Sequence, residues 1–142
     1  MTFGAQDLLA TGSADGDVRI WDTATGECSH VLSVHPQGVW PLLFNEGGTL
    51  LAAGSADGTL RVWEAASGTL RCELTGHTSP IYTAVFGSDG TSLITGDASA
   101  NVRVWDVTTG GCGRCCRKAP GRCTVWRSAR TGRCWPPVTI SG

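Results

Sequence analysis

The chain has 142 residues, 41% of them apolar and 16% charged, with a net charge of −1. Those values suit one ordinary folded domain and are too apolar for a disordered chain. No run approaches the roughly 18 apolar residues of a spanning helix, and the first residues lack the basic and apolar regions of a secretory leader, so no membrane contact and a cytoplasmic location are expected.

In chain order, the first element is a strand, a tight turn and a second strand over residues 9–22, and this unit returns at 51–64 and 93–106. Trp21, Trp63 and Trp105 are spaced 42 and 42 apart, and His35 and His77 are also 42 apart. Within the units, Val18 and Ile20, Leu60 and Val62, and Val102 and Val104 alternate with Arg19, Arg61 and Arg103. Period-two alternation is the signature of a half-buried strand, with the arginines on its solvated face. Asp15-Gly16 and Asp57-Gly58 predict two-residue hairpin turns, in which glycine supplies positive φ. Two further strands follow in each period, over 27–33 and 39–44, then over 69–75 and 81–86. Four antiparallel strands per 42 residues make an all-β fold with almost no helix.

Composition changes near Gly110. Residues 1–110 carry four basic and all 12 acidic residues; residues 111–142 carry seven basic residues and no acid, with five of the seven cysteines. Two regions are therefore expected: a repeat array over 1–110 and an aberrant, irregular, basic Cys-rich tail over 111–142. Re-reading the tail one base out of frame from Ala119, with codons chosen to suit, yields Phe-Gly-Pro-Asp-Gly-Thr-Leu-Leu-Ala-Thr-Gly-Asp near its end. That segment aligns without a gap to Phe86–Asp97 at an offset of 42. The expectation is a frameshift near Gly110 and a tail with little order and no evolved function.

Gly-Ser-x-Asp-Gly, Arg-x-Trp-Asp/Glu and Gly76-His77 at a fixed period resemble the WD40 repeat, the blade unit of β-propellers, in a bacterial style of array. The resemblance covers residues 1 to about 110 and implies about two and a half four-stranded blades of an incomplete propeller. It also implies a buried hydrogen-bonded set of His, Ser or Thr, Asp and Trp in each blade. Mapped onto this chain, one set is complete: His35, Ser55, Asp57 and Trp63. The other sets are partial. Ser13, Asp15 and Trp21 lack a preceding histidine. His77 and Trp105 are accompanied by Asp97 at the Ser position and Ser99 at the Asp position, so the two polar types have exchanged places.

The function implied by the resemblance is a protein-interaction scaffold that is a fragment of a longer array. It would have no catalytic activity and no cofactor, and it would meet other proteins through the propeller surface. Met1 falls inside a blade, so open edges are expected at both ends, and a second reading completes a propeller by homo-oligomerising through those edges. A third reading gives the tail a role in binding zinc through Cys112, Cys115, Cys123 and Cys134, or nucleic acid through its charge with Trp126 and Trp135. The cysteine spacing lacks a second tight pair and a nearby histidine, so a metal site is not expected. A nucleophile triad of His35, Ser55 and Asp57 would need an exposed serine and an oxyanion hole. The repeat predicts scaffolding at those positions instead.

Overall fold

A computed structural model describes residues 1–4, 7–33, 38–119 and 122–127, with 112–119 and 122–127 described by their backbone alone. His35 therefore lies outside the described residues. Among the described residues every regular element is a strand: β1 (Thr2–Phe3), β2 (Leu8–Gly12), β3 (Asp17–Asp22), β4 (Cys28–Ser33), β5 (Val39–Phe44), β6 (Leu50–Ser55), β7 (Leu60–Glu64), β8 (Leu70–Leu74), β9 (Ile81–Phe86), β10 (Ser92–Asp97), β11 (Asn101–Asp106), β12 (Gly111–Ala119) and β13 (Arg122–Arg127). They form three antiparallel sheets that do not close into a ring: β1 to β4 (sheet 1), β5 to β8 (sheet 2) and β9 to β13 (sheet 3). Within each sheet successive strands pair in chain order. The chain then leaves the outermost strand of one sheet to start the innermost strand of the next.

Alternation decides what each sheet buries. In sheet 2, Leu51, Ala53 and Trp63 point one way, and Leu50, Ala52, Leu60, Val62 and Leu74 the other. The first set packs on Ala10, Val18 and Ile20 of sheet 1. The second packs on Ile81, Leu93, Trp105 and Val107 across the gap to sheet 3. Sheet 2 is thus covered on both faces, which is why β6 is buried along its whole length. Each large apolar side chain fully removed from water here contributes roughly 1.5–3 kcal/mol.

The turns differ from the two-residue loops expected. Gly16 N–H donates to Ser13 O, and Ser13 N–H donates to Asp17 O. The loop is therefore three residues long, a turn closed by a left-handed glycine at φ 96°. Gly58, at φ 82°, repeats it in sheet 2. A Cβ on Gly58 would stand 2.7 Å from His77 O, so both its dihedral and its surroundings require glycine.

Beyond the third repeat, Gly111–Ala119 pairs with β11, and Arg122–Arg127 pairs with Gly111–Ala119; residues 128–142, the rest of the expected irregular tail, lie outside the described residues. Strand pairing satisfies backbone N–H and C=O groups and needs no particular side chains. The open edge of β11 can therefore template a segment that has lost the apolar alternation. Unlike β5 and β9, β13 stays in its own sheet.

Candidate functional site

The best-defined polar cluster lies between β9, β10 and β11. Trp105, 2% exposed, donates its indole N–H to Thr95 Oγ1 at 2.8 Å. Thr95 Oγ1 is 2.7 Å from His77 Nε2, and His77 Nδ1 is 2.8 Å from Asp97 Oδ2. The carboxylate can only accept, so Nδ1 carries the histidine proton and Nε2 accepts from the threonine hydroxyl. Donation runs from Trp105 to Thr95, from Thr95 to His77 and from His77 to Asp97, which only accepts. Asp97 also accepts the backbone N–H of Ser99 and of Asn101 and the Asn101 side-chain amide. Burial holds the His77 imidazole below its ordinary pKa, against the opposing pull of the Asp97 carboxylate. Burial pushes Asp97 up, but the Asn101 hydrogen bonds and the His77 contact outweigh it and leave its pKa lowered. A neutral imidazole beside a carboxylate, with each polar atom of the chain paired, stiffens the sheet.

The hydroxyl in this network is two residues earlier than the sequence assignment. It is Thr95, and Asp97 takes the carboxylate role, while Ser99 lies outside the network with its Oγ 2.6 Å from Ser79 Oγ. Sheet 1 follows the same rule: Trp21 Nε1–H donates to Thr11 Oγ1 at 2.9 Å, not to Ser13. Asp15 is an exposed turn residue that accepts the Asp17 backbone N–H. In sheet 2 the corresponding residue is Ala53, which has no hydroxyl. Ser55 is fully buried, and its Oγ accepts the backbone N–H of Asp57. The assigned set of His35, Ser55, Asp57 and Trp63 is thus corrected at Ser55, a turn residue rather than the partner of Trp63. That burial also removes Ser55 as a nucleophile open to substrate. The other functional expectation, the cysteine set, has its side chains outside the described residues.

Two aromatic side chains missed by the sequence reading stand out on the surface. Trp40 on β5 is 65% exposed and Tyr82 on β9 is 62% exposed. The Trp40 indole N–H donates to Tyr82 O at 3.1 Å. They border a hollow of about 350 Å³ whose walls include Ser13, Val39, Ala56 and Pro80. A second hollow of about 340 Å³, reaching Met1 and Ala84, shares Trp40 and Tyr82. The available signal was their spacing of 42, which places one aromatic at the same point of two innermost strands. Two lining residues of the first hollow, Ala14 and Ala56, are followed in the chain by Asp15 and Asp57.

The sheets, the repeated Trp-to-hydroxyl bond and the 42-residue period point to one repeat family. The profile of the WD40 family (WD domain, G-beta repeat) matches residues 4–22, 26–64 and 68–106. The chain belongs to the WD40 family. WD40 domains generally mediate contacts between proteins, and the family is generally non-catalytic. Two strains of Aspergillus fumigatus provide a relative named eukaryotic translation initiation factor 3 subunit I, 50% identical over 42 residues. That match covers 30% of this WD40 chain, which spans only 12% of the relative. Among solved structures, the computationally designed Ika8 protein superposes with a TM-score of 0.73 at 25% identity, over 93% of this chain and 43% of that one. The designed Ika4 protein superposes at 0.71 and 25% identity, over 90% of this chain and 89% of that one.

Proposed function

We propose that this WD40 chain is a non-catalytic interaction scaffold of the cytoplasm whose contact region is the hollow beside Trp40 and Tyr82. The observation that carries the reading is that two exposed aromatics line one hollow, with the Trp40 indole bonded to the Tyr82 carbonyl. Large aromatic surface left in water beside a concavity is the usual form of an anchor site for a partner's apolar side chain. Asp15 and Asp57 stand next in the chain to the lining residues Ala14 and Ala56, and residues 1–110 as a whole carry 12 acids against four bases. Charge complementarity selects a partner segment with an apolar anchor flanked by lysine or arginine. A relative named as a subunit of a larger factor fits a scaffold role.

The test is to pan a displayed random-peptide library on the 142-residue chain, with Trp40→Ala as the counter-selecting variant. The expected result is enrichment of apolar-plus-basic peptides whose binding weakens at least tenfold in Trp40→Ala and falls with added salt. No enrichment, or equal binding to Trp40→Ala, overturns the proposal.

A further inference from the structure

The repeat builds one unit twice at the hollow beside Trp40. Its first half is the turn between the two central strands of a sheet, which carries Asp15 in sheet 1 and Asp57 in sheet 2. Its second half is the aromatic on the innermost strand of the following sheet. Trp40 follows Asp15 and Tyr82 follows Asp57, both at a separation of 25 positions. The two halves touch. A Cβ on Gly38, two residues before Trp40, would stand 3.6 Å from Ala14 O, and one on Gly12 would stand 2.9 Å from the Val39 side chain. In the second unit a Cβ on Gly58 would stand 2.7 Å from His77 O and 3.2 Å from Ser79 O, just ahead of Pro80 and Tyr82. Each turn therefore presses against the chain that leads into the next aromatic.

Ala14, Trp40, Ala56 and Tyr82 all line the same hollow, so both units meet there. Trp40 lies in sheet 2, which is covered on both faces, and its side chain still stands in water. Its indole N–H is taken up by Tyr82 O, so the ring offers an incoming group its π face, whose quadrupole attracts cations. None of the described residues lining the hollow carries a charge. The Ser13 hydroxyl, part of that wall, donates to the Asp15 carboxylate and holds its pKa below the ordinary value. Asp57 Oδ1 accepts the Thr59 backbone N–H at 2.8 Å. A carboxylate has room for further donors, and both Asp15 and Asp57 are exposed. A cation on either ring thus has a carboxylate in its own unit and no basic side chain among the described wall residues.

We infer that each unit is a subsite for one basic side chain, and that the partner segment presents two of them, one to Asp15 and Trp40 and one to Asp57 and Tyr82. Arginine suits both halves of a unit at once, because its planar guanidinium stacks on an aromatic face and pairs with a carboxylate. Val39, Pro80 and Ile81 remain as apolar wall for the partner's anchor. Sheet 3 has Ser99 at the position of Asp57, so the carboxylate half is not repeated there. The inference rests on the hollow as the contact region and adds the residues that choose what binds in it.

The test titrates the full chain with synthetic peptides built on one leucine anchor and capped at both ends, read from the indole N–H resonances. The peptides are Arg-Gly-Leu-Gly-Arg, Arg-Gly-Leu-Gly-Gln and Gln-Gly-Leu-Gly-Gln, each also made with its glycines doubled to give a second reach. Affinity is expected to fall roughly two- to fivefold with each arginine lost, and added salt is expected to narrow the differences. Asp15→Asn and Asp57→Asn each keep a side-chain oxygen for the turn. Each is expected to bring the two-arginine peptide to the affinity of the one-arginine peptide, and a urea transition in each variant shows that it is folded. Equal affinity for all three peptides, or an arginine preference that survives both substitutions, overturns the inference. If those peptides still lose binding in Trp40→Ala, the hollow as contact region stands without it. Absence of binding by every peptide overturns the inference too, and the library selection then decides the hollow by itself.

Discussion

Trp105 and Thr95 share a hydrogen bond of 2.8 Å in which the threonine hydroxyl serves two buried partners at once. It accepts from the indole and donates to His77 Nε2, 2.7 Å away. Replacing Thr95 by valine keeps the shape and strands both partners. Each buried polar group left unpaired costs roughly 1–3 kcal/mol, so Thr95→Val is expected to destabilise the fold by about 2–4 kcal/mol. Thr11→Val removes the equivalent bond to Trp21, which is only half-buried and can turn to water, and its cost is expected to stay below about 1 kcal/mol. Urea midpoints of the two variants decide the ranking; equal losses would refute it.

Ala53 stands one repeat before Thr95, beneath a tryptophan that is 4% exposed. Ala53→Ser supplies the missing acceptor for the Trp63 indole with the smallest change in volume. A net hydrogen bond contributes about 1 kcal/mol, and stability is expected to rise by that order. Stability that falls instead would mean that the added hydroxyl finds no partner.

Sequence reading reached the strands of this fold easily and the polar network only in part, for one physical reason. Residues two apart in a strand share a face. Ala53 and Ser55, or Thr95 and Asp97, are therefore indistinguishable by alternation, and only the distance from the tryptophan separates them. The serine before the Asp-Gly turn belongs to the turn, and the hydroxyl one step further into the strand reaches the indole. Trp40 and Tyr82 were legible as a 42-residue coincidence, but their exposure follows from innermost strands that the sequence does not orient. β12 and β13 were not legible, because a ladder built on backbone groups leaves no side-chain period to read.

The buried histidine also sets how stability varies with pH. His77 has a lowered pKa in the folded protein, because burial penalises its charged form, so between its folded and unfolded values the unfolded chain binds more protons. Its contribution is fully present above the ordinary value of 6.5 and is lost as pH falls through the folded value. Asp97, also lowered, acts in the same direction below its ordinary 3.8. Stability is therefore expected to begin falling as pH drops below about 6.5, with a second loss in the acid range. His77→Gln is expected to be less stable at neutral pH and to flatten the upper part of that decline. Denaturant titrations between pH 7.5 and pH 5, roughly the span over which a histidine titrates, make the comparison. An unchanged slope in His77→Gln would assign the effect to another group.

Ala100 occupies the turn position that Gly16 and Gly58 hold in the other sheets, and it adopts φ 60° there. Its N–H closes the turn onto Asp97 O at 3.0 Å, so the conformation is fixed by the same residue that anchors His77. A left-handed conformation costs an L-residue with a Cβ roughly 1–2 kcal/mol, while glycine adds unfolded-state entropy of somewhat less. Ala100→Gly is therefore expected to stabilise the fold by roughly 0.5–1 kcal/mol. The reverse change in sheet 2, Gly58→Ala, meets both the strained dihedral and His77 O at 2.7 Å, and it is expected to cost more than the first change gains. The two melting temperatures should move in opposite directions. A Gly58→Ala protein as stable as the parent would show that the turn of sheet 2 can relax away from His77, and that the contact between sheets 2 and 3 is looser than the buried Leu60 and Ile81 side chains imply.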